Sequence, residues 1–294
     1  DTVYLRQIHI CYWERLSREM WRVLVPSLRP MLAKRLDGKK VLLVGVDGNL
    51  GPVWAKALLD EGATVWGVGL RATSDLRLAK LGETNNELIL GDLDISQPVS
   101  AKDIEECLGV GLSDSRVDGV VMNAGIDSVP GQGKTHLVDY DREEWSRVFG
   151  VNVFGVVDVL NSVVGSLASP SSVVMLGSLY GMVAPNPHLM SHFDHGKGQV
   201  KHPAYGASKA ALVAMARQYG TNLAPRGIRV NTLTLGGVTA GQDAEFVEKY
   251  SAMVPQGRML ELEELTGAML FLLSDDSRAM TGQNVVVDGG FTAW

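Results

Sequence analysis

Residues 44–51 read Val44-Gly45-Val46-Asp47-Gly48-Asn49-Leu50-Gly51, and they join an apolar run at 41–44 to a helical pattern at 53–61. Glycine lets a backbone turn tightly at such a place and come close to a pyrophosphate, while the N-terminus of the next helix faces the negative charge. A glycine-rich loop alone is weak evidence, but its position directly after the first strand is specific. This stretch therefore predicts a dinucleotide-binding turn at the start of an α/β sheet.

Apolar runs and helical patterns alternate through the rest of the chain. Seven short runs are apolar on both faces, as strands buried within a parallel sheet are. The stretches 53–61, 145–164, 207–223 and 262–273 have the period of helices. This alternation predicts an α/β domain with a doubly wound Rossmann fold and a seven-stranded parallel sheet. The predicted strands are 41–44, 64–68, 88–90, 119–122, 173–176, 228–232 and 284–287.

Composition limits the class of protein. The 294 residues are 46% hydrophobic and 20% charged, which is enough for one large core, and no linker divides residues 38–294. No apolar stretch reaches the roughly 18 residues that span a bilayer. Cys11 and Cys107 lie far apart without metal-type spacing, which favours a reduced, cytoplasmic setting. The net charge of -6 gives no reason to expect a nucleic-acid partner.

A basic segment, residues 1–37, precedes the predicted domain. Residues 1–40 hold nine Lys or Arg against four Asp or Glu. A loose apolar stripe opposite the arginines predicts two short helices, because Pro26 and Pro30 interrupt the pattern. Two interpretations stay open: packing on this domain or on a second subunit, and docking of residues 1–36 on a membrane surface or a partner protein. The second would make the protein peripheral to a membrane.

A tyrosine and a lysine stand one helical turn apart in Tyr205-Gly206-Ala207-Ser208-Lys209. At this spacing the ammonium lies close enough to act on the phenol. An unperturbed tyrosine keeps its proton until about pH 10, and a neighbouring cation stabilises its anion. A surface pair has the same spacing, but Ser178 and Asn123-Ala124-Gly125, each placed after an apolar run, add weight to a catalytic interpretation.

In this order, these motifs resemble the short-chain dehydrogenase/reductase family over roughly residues 38–294. The resemblance implies an NAD(P)-dependent oxidoreductase that interconverts a secondary alcohol and a ketone. It implies that Tyr205 is the general acid or base and that Ser178 orients the substrate oxygen. Lys209 would lower the pKa of Tyr205 and bind the nicotinamide ribose. Asn152 would kink its helix and hold a water in a proton relay.

The resemblance also implies a set of cofactor contacts, with departures from the family's pattern. The family has Thr-Gly-x-x-x-Gly-x-Gly, in which Asn49 replaces the middle glycine here. Its Asn-Asn-Ala-Gly begins here with Met122, and its Pro-Gly-x-Val-x-Thr begins with Leu235. Asp94 matches the adenine-contacting aspartate, with helix capping as the alternative. The predicted cofactor residues are Gly45, Asn49, Leu50, Gly51, Arg71, Asp94, Ile95, Asn123, Ala124, Gly125, Tyr205, Lys209, Gly236, Val238 and Thr239.

The end of the second predicted strand bears on the choice between NAD and NADP. An acid at this place hydrogen-bonds the adenosine ribose of NAD. By register the position is Gly69, which is followed by Leu70 and Arg71. Without a carboxylate there, and with an arginine nearby to meet a 2'-phosphate, the sequence favours NADP. Arg71 can equally be a solvated charge that leads a helix.

Between the serine and the tyrosine lie 26 residues, about twice the family's usual number. Residues 183–204 contain four of the chain's six histidines. By topology this stretch lies at the mouth of the site, so it is expected to shape substrate choice. His188, His192 and His195 are the substrate candidates. Metal ligation, for example by His192-Phe193-Asp194-His195, and plain loop structure are the alternatives, and no metal site is assigned.

The longer loop and the chain ending at 287–294 look most like the subgroup linked to carbohydrate and nucleotide-sugar modification, which implies a polar, sugar-like substrate. Family resemblance also implies a homodimer or homotetramer. Two rival functions stay open. One is a non-catalytic NAD(P)-binding sensor or scaffold, because Asn49 and Leu235 depart from the pattern. The other is a ketoreductase for a lipid or acyl-thioester ketone, recruited to a membrane by residues 1–36.

Overall fold

The computed structural model describes residues 34–112, 116–127, 134, 136–192 and 200–294. Seven strands form one parallel sheet in the order β3-β2-β1-β4-β5-β6-β7. The predicted doubly wound fold is confirmed, and each predicted strand lies within an observed one. The strands are β1 Lys40–Val44, β2 Thr64–Gly69, β3 Leu88–Asp92, β4 Val117–Met122, β5 Leu167–Ser178, β6 Ile228–Leu235 and β7 Asn284–Val287.

Helices connect the strands. The prediction for 145–164 differs from the structure, because a π-helical segment, Gly150–Gly155, separates two α-helices there. The helices α2, α3 and α7, of seven or eight residues each, lie outside the helical stretches named from the sequence. The α-helices of the described chain are α1 Gly51–Asp60, α2 Leu76–Gly82, α3 Ala101–Leu108, α4 Arg142–Phe149, α5 Val156–Val163, α6 Pro203–Leu223, α7 Ala244–Ser251 and α8 Thr266–Leu273.

The sheet is apolar on both faces because helices cover both. Successive side chains of a strand point to opposite faces. Leu43 therefore packs in one core cluster with Trp54 of α1, and Leu42 packs in another with Val159 of α5. All four side chains are fully buried. Burial of each such aliphatic side chain contributes about 1.5–3 kcal/mol relative to exposure.

The first described residues already pack on this domain. Leu36 is fully buried, and its N–H donates to the Glu61 carbonyl oxygen at 3.1 Å. The predicted helices of the basic segment fall largely on residues 1–33, which lie outside the described residues, and the boundary at residue 38 stays a prediction. In the part of the chain that is described, every helix is too short or too polar to cross a membrane.

The topology brings the loops that carry the candidate functional residues to one edge of the sheet. Because all strands are parallel, the loops that follow β1, β4 and β5 leave from the same edge. The strand order reverses between β1 and β4, and such a switch point opens a crevice at the carboxyl ends of the strands.

Candidate active site

A cavity of about 820 Å³ lies at this edge, within the usual size range of small-molecule sites. Every predicted cofactor residue except Gly51 and Arg71 lines it. Gly51 is the first residue of α1, where an added Cβ would collide with the Val46 carbonyl. Glycine is needed at that position because α1 packs directly against the backbone of the glycine-rich loop.

The glycine-rich loop is held against the end of β4. Gly45 has φ of 81°, and an added Cβ would lie 2.6 Å from the Ala124 backbone. The Asn123 amide donates to the Gly45 carbonyl oxygen at 2.7 Å and accepts from Trp54 Nε1 at 2.9 Å. Asn123 thus fixes the loop as well as lining the cavity, a role that the sequence did not indicate.

The N-terminus of α1 opens into the cavity beside Asn49 and Leu50. No side chain of the described residues caps it, and its first turn carries no acid. The helix dipole favours an anion at such a place. The crowded glycine loop and the uncapped helix end therefore fit the pyrophosphate of a dinucleotide, despite the replacement of a family glycine by Asn49.

Tyr205, Ser178 and Lys209 meet on one wall of the same cavity. The Lys209 Nζ atom lies 5.9 Å from the centroid of the Tyr205 ring, and it donates to the Leu176 carbonyl oxygen at 2.8 Å. Ser178 ends β5, where its Oγ accepts from the Tyr180 N–H at 3.2 Å and forms a hydrogen bond with Tyr205. The arrangement brings an acid–base group, an oxygen-orienting hydroxyl and a cation together.

Burial shifts the pKa values of both ionisable groups in this wall. It raises the pKa of Tyr205 to about 12, with a further increase from Asp127 that the hydrogen bond from Ser178 partly offsets. Burial lowers the pKa of Lys209 to about 8, against the raising effect of Asp127. The phenol is therefore a proton donor at neutral pH, and its use as a base requires additional positive charge beside it.

Asn152 lies inside the π-helical segment and is fully buried. Its Oδ1 accepts from the Ile126 N–H at 2.8 Å, and its Nδ2 donates to the Ile126 carbonyl oxygen and to Ser208 Oγ, both at 3.0 Å. Ser208 Oγ in turn donates to the Tyr205 carbonyl oxygen at 2.7 Å. Both amide hydrogens are thus used by the protein. Asn152 connects the loop after β4 to the helix that carries Tyr205.

An ion pair that the sequence did not indicate stands beside the tyrosine. Lys201 pairs with Asp127, which lines the cavity. The Lys201 Nζ lies 4.8 Å from the Tyr205 ring centroid and 5.1 Å from that of Tyr180. Its side chain is only 11% exposed. The two partners are 74 residues apart in sequence, so no local motif could have paired them.

Two of the three histidines predicted to contact substrate, His188 and His192, are absent from the lining of this cavity. His188 lies in a 3₁₀ turn, Pro187–Met190, and His192 Nε2 contacts Asp243 Oδ1 at 2.9 Å, at the start of α7. The segment packs on α7 because this contact and the Lys249 ammonium, 3.2 Å from His192 Nδ1, hold it there. His195 lies outside the described residues. Among those residues, no group of three His, Cys, Asp or Glu side chains could hold a metal ion.

The end of β2 differs from the expectation for NADP. Arg71 is exposed and does not line the cavity, whereas Arg77 does. A carboxylate is also present, because the side chain of Asp47 lies over Gly69 and accepts from the Arg71 N–H at 2.8 Å. This acid comes from the loop after β1, so the residues of β2 alone do not indicate it.

Nicotinamide-dependent oxidoreductases place an acid–base group beside a dinucleotide held at a topological switch point, and this cavity has both features. A family model described as enoyl-(acyl carrier protein) reductase matches residues 45–292. The chain belongs to the short-chain dehydrogenase/reductase family and is an NAD(P)-dependent enzyme acting on CH–OH groups.

Individual relatives span nearly all of the described domain. The chain is 31% identical to the 3-oxoacyl-[acyl-carrier-protein] reductase FabG of Thermotoga maritima, over 87% of this chain and 98% of the relative. It is 28% identical to a sorbitol dehydrogenase of Cereibacter sphaeroides, over 87% and 98%. A crystal structure of a short-chain dehydrogenase from Leptospira borgpetersenii with bound NAD⁺ superposes with a TM-score of 0.73 at 26% identity, covering 88% of this chain and 94% of that one.

Proposed function

We propose that the protein interconverts a secondary alcohol and a ketone on a polar, sugar-like substrate, with Tyr205 as the general acid or base. The observation that carries the proposal is the meeting of Tyr205, Ser178 and Lys209 on one wall of a cavity whose other wall is the glycine-rich loop. A bound nicotinamide would supply the hydride donor or, when oxidised, a hydride acceptor with a positive charge.

In ketone reduction, Tyr205 donates its proton to the substrate oxygen. Its raised pKa keeps that proton in place at neutral pH. Ser178 Oγ already accepts from the Tyr180 N–H, so its own hydrogen is available to the phenol or to the substrate oxygen. Removal of water from this buried wall strengthens both interactions.

In alcohol oxidation, Tyr205 must first lose its proton. Lys209 favours the phenolate by its field, since its ammonium lies 5.9 Å from the ring centroid. Lys201 adds a second cation at 4.8 Å, partly balanced by Asp127. The Leu176 carbonyl oxygen accepts a hydrogen bond from the Lys209 ammonium and so holds this charge near Tyr205.

A polar substrate is supported by the charged side of the cavity. The Asp127 carboxylate lines the space beside Tyr205 and is 28% exposed. A carboxylate there can accept hydrogen bonds from neighbouring hydroxyl groups of a polyol or sugar. Similarity to a sorbitol dehydrogenase agrees with this class of substrate. His188 and His192 do not support the proposal of a sugar-like substrate, since neither lines the cavity.

An acyl-thioester ketone is the second candidate substrate. It is favoured by the likeness to a 3-oxoacyl-[acyl-carrier-protein] reductase and by the description of the matching family model. The Asp127 carboxylate in the cavity lining opposes it, because an acyl chain binds poorly against a charged group. Recruitment to a membrane by residues 1–36 would belong to this candidate, and flotation with liposomes of the full chain and of a chain lacking those residues tests it.

A substrate panel separates these functions. Purified protein is mixed with NADH or NADPH and ketones, or with the oxidised cofactors and alcohols, and nicotinamide absorbance is followed. The panel contains nucleotide sugars, free polyols, keto sugars and 3-oxoacyl thioesters, with Y205F as the control. Faster turnover of a sugar or polyol supports the proposal, and faster turnover of thioesters supports the second candidate. Tight cofactor binding without turnover of any compound supports the non-catalytic sensor.

A homodimer or homotetramer is also proposed. Phe154, directly before α5, is 61% exposed, and Leu137 and Val138, before α4, are 58% and 90% exposed. Apolar side chains exposed on neighbouring elements are suited to a contact with a second copy. Light scattering of the wild type and of F154E tests this, because loss of the oligomer in the variant places the contact at Phe154.

A further inference from the structure

The carboxylate of Asp47 occupies the space that a side chain at the last position of β2 would otherwise fill. Gly69 is the last residue of β2, and a Cβ built on it would meet the Asp47 carboxylate, with the carboxyl carbon at 2.7 Å. Gly69 is buried, and its lack of a Cβ leaves the room that this carboxylate occupies. Asp47 itself belongs to the glycine-rich loop after β1.

Two contacts hold Asp47 in place. Its Oδ2 accepts from the Arg71 N–H at 2.8 Å, directly beyond the end of β2. Its carbonyl oxygen accepts from the Arg77 guanidinium at 2.7 Å, at the start of α2. Asp47 and Gly69 both line the cavity. A preorganised carboxylate is therefore presented to the cavity at the strand end.

We propose that Asp47 takes the place of a strand-end acid, binds the adenosine ribose hydroxyls and makes this protein select NAD over NADP. A carboxylate accepts hydrogen bonds from ribose hydroxyls, whereas it repels a 2'-phosphate at the same place. The inference rests on the proposed binding of a nicotinamide dinucleotide in this cavity, and it is independent of the substrate.

Arg77 is the group that opposes this selection. Its guanidinium lines the same cavity and could attract a phosphate. It is already committed, since Nη2 donates to Asp75 Oδ2 at 2.5 Å as well as to the Asp47 carbonyl oxygen. Its side chain is also 51% exposed, so solvent screens its charge. The Asp47 carboxylate, which fills the space over Gly69, therefore decides the preference between NAD and NADP.

The test measures the dissociation constants of NADH and NADPH by fluorescence titration, without any substrate. The wild type is compared with D47N, which keeps the shape and removes the charge. In the double variant D47G/G69D the acid is moved from the loop to the strand end. D92N serves as a matched control, because Asp92 ends β3 and pairs with Thr73 outside the cavity lining.

The wild type is expected to bind NADH more tightly than NADPH. In D47N the ratio of the two affinities should move toward NADPH by about tenfold to a hundredfold, as for loss of a hydrogen bond to a charged group. D47G/G69D should restore the preference for NADH, and D92N should keep the wild-type ratio. G69D alone should lower the unfolding temperature, because two carboxylates then compete for one space, and the double variant should recover it.

Tighter binding of NADPH by the wild type overturns the inference, as does an unchanged ratio in a folded D47N protein. Binding of neither dinucleotide overturns the assignment of the cavity itself, and with it the proposed function. These results are distinct, because the first two leave dinucleotide binding intact.

Discussion

The ammonium of Lys209 lies 5.9 Å from the centre of the Tyr205 ring while it donates to the Leu176 carbonyl oxygen at 2.8 Å. Lys209 therefore acts on the phenol through its electric field, from a position that the end of β5 fixes. Both groups are desolvated, which raises the pKa of Tyr205 and lowers that of Lys209. The site thus keeps a neutral phenol beside a desolvated ammonium, and the protonation of both groups depends on pH.

Replacing Lys209 should change the dependence of stability on pH. Burial lowers its pKa in the folded state to about 8 from the ordinary lysine value of 10.5, so below pH 8 the ammonium is present in both states and the folded state bears its desolvation. As pH rises from 8 to 10.5, the folded state loses this proton first and the wild type gains stability. K209M lacks this gain.

Urea unfolding of wild type and K209M at several pH values checks the prediction. The free energy of unfolding of the wild type should rise relative to that of K209M by on the order of 1–3 kcal/mol between neutral pH and the alkaline end of this range. Subtraction of the two curves removes the titration of all other groups. Parallel curves would contradict the burial of a charged Lys209.

Lys201 and Asp127 should shift the pH profile of alcohol oxidation in opposite directions. Asp127 raises the pKa of Tyr205, so D127N should lower it and move the rising limb of the profile to lower pH. Lys201, 4.8 Å from the ring centroid, favours the phenolate, so K201M should move the limb to higher pH. The measurement is kcat/KM against pH for an alcohol found in the substrate panel. Shifts in the same direction would show a merely structural role for the pair.

Removal of the Asn152 side chain should weaken both stability and turnover. N152A loses the hydrogen bonds to Ile126 and Ser208. Leaving such partners unsatisfied costs about 1–3 kcal/mol. The control N161A alters an exposed asparagine on α5 that bonds Tyr219, and surface substitutions of this kind stay within about 0.5 kcal/mol. Thermal unfolding and kcat are measured for both. An N152A protein as stable as N161A would exclude the connecting role.

The sheet and the Ser–Tyr–Lys wall could be predicted because their signals are local or follow from topology. Strands buried on both faces are continuous apolar runs, and parallel connections bring their carboxyl ends to one edge. Ser178 ends β5, and Tyr205 and Lys209 share a face of α6, so their meeting needs only the strand order and the helical period.

Other residues of the site could not be predicted from the sequence, because loops bring them together. The path of a loop leaves no periodic pattern in the sequence. Asp47 reaches the end of β2 from the loop after β1, and Lys201 reaches Asp127 across 74 positions. His188 and His192 lie outside the cavity lining for the same reason, because contacts with α7 hold their segment, and their contact with substrate stays a prediction. Loop conformation depends on tertiary contacts, which composition and spacing do not contain.

We propose that the phenol of Tyr205 transfers the proton. The most direct test of this proposal is kcat of Y205F on the best alcohol or ketone of the panel, together with the dissociation constant of NADH. We predict that kcat falls by about 10²–10⁴-fold, the usual contribution of a general acid or base, with cofactor affinity unchanged. A Y205F protein that keeps the wild-type kcat would contradict the account.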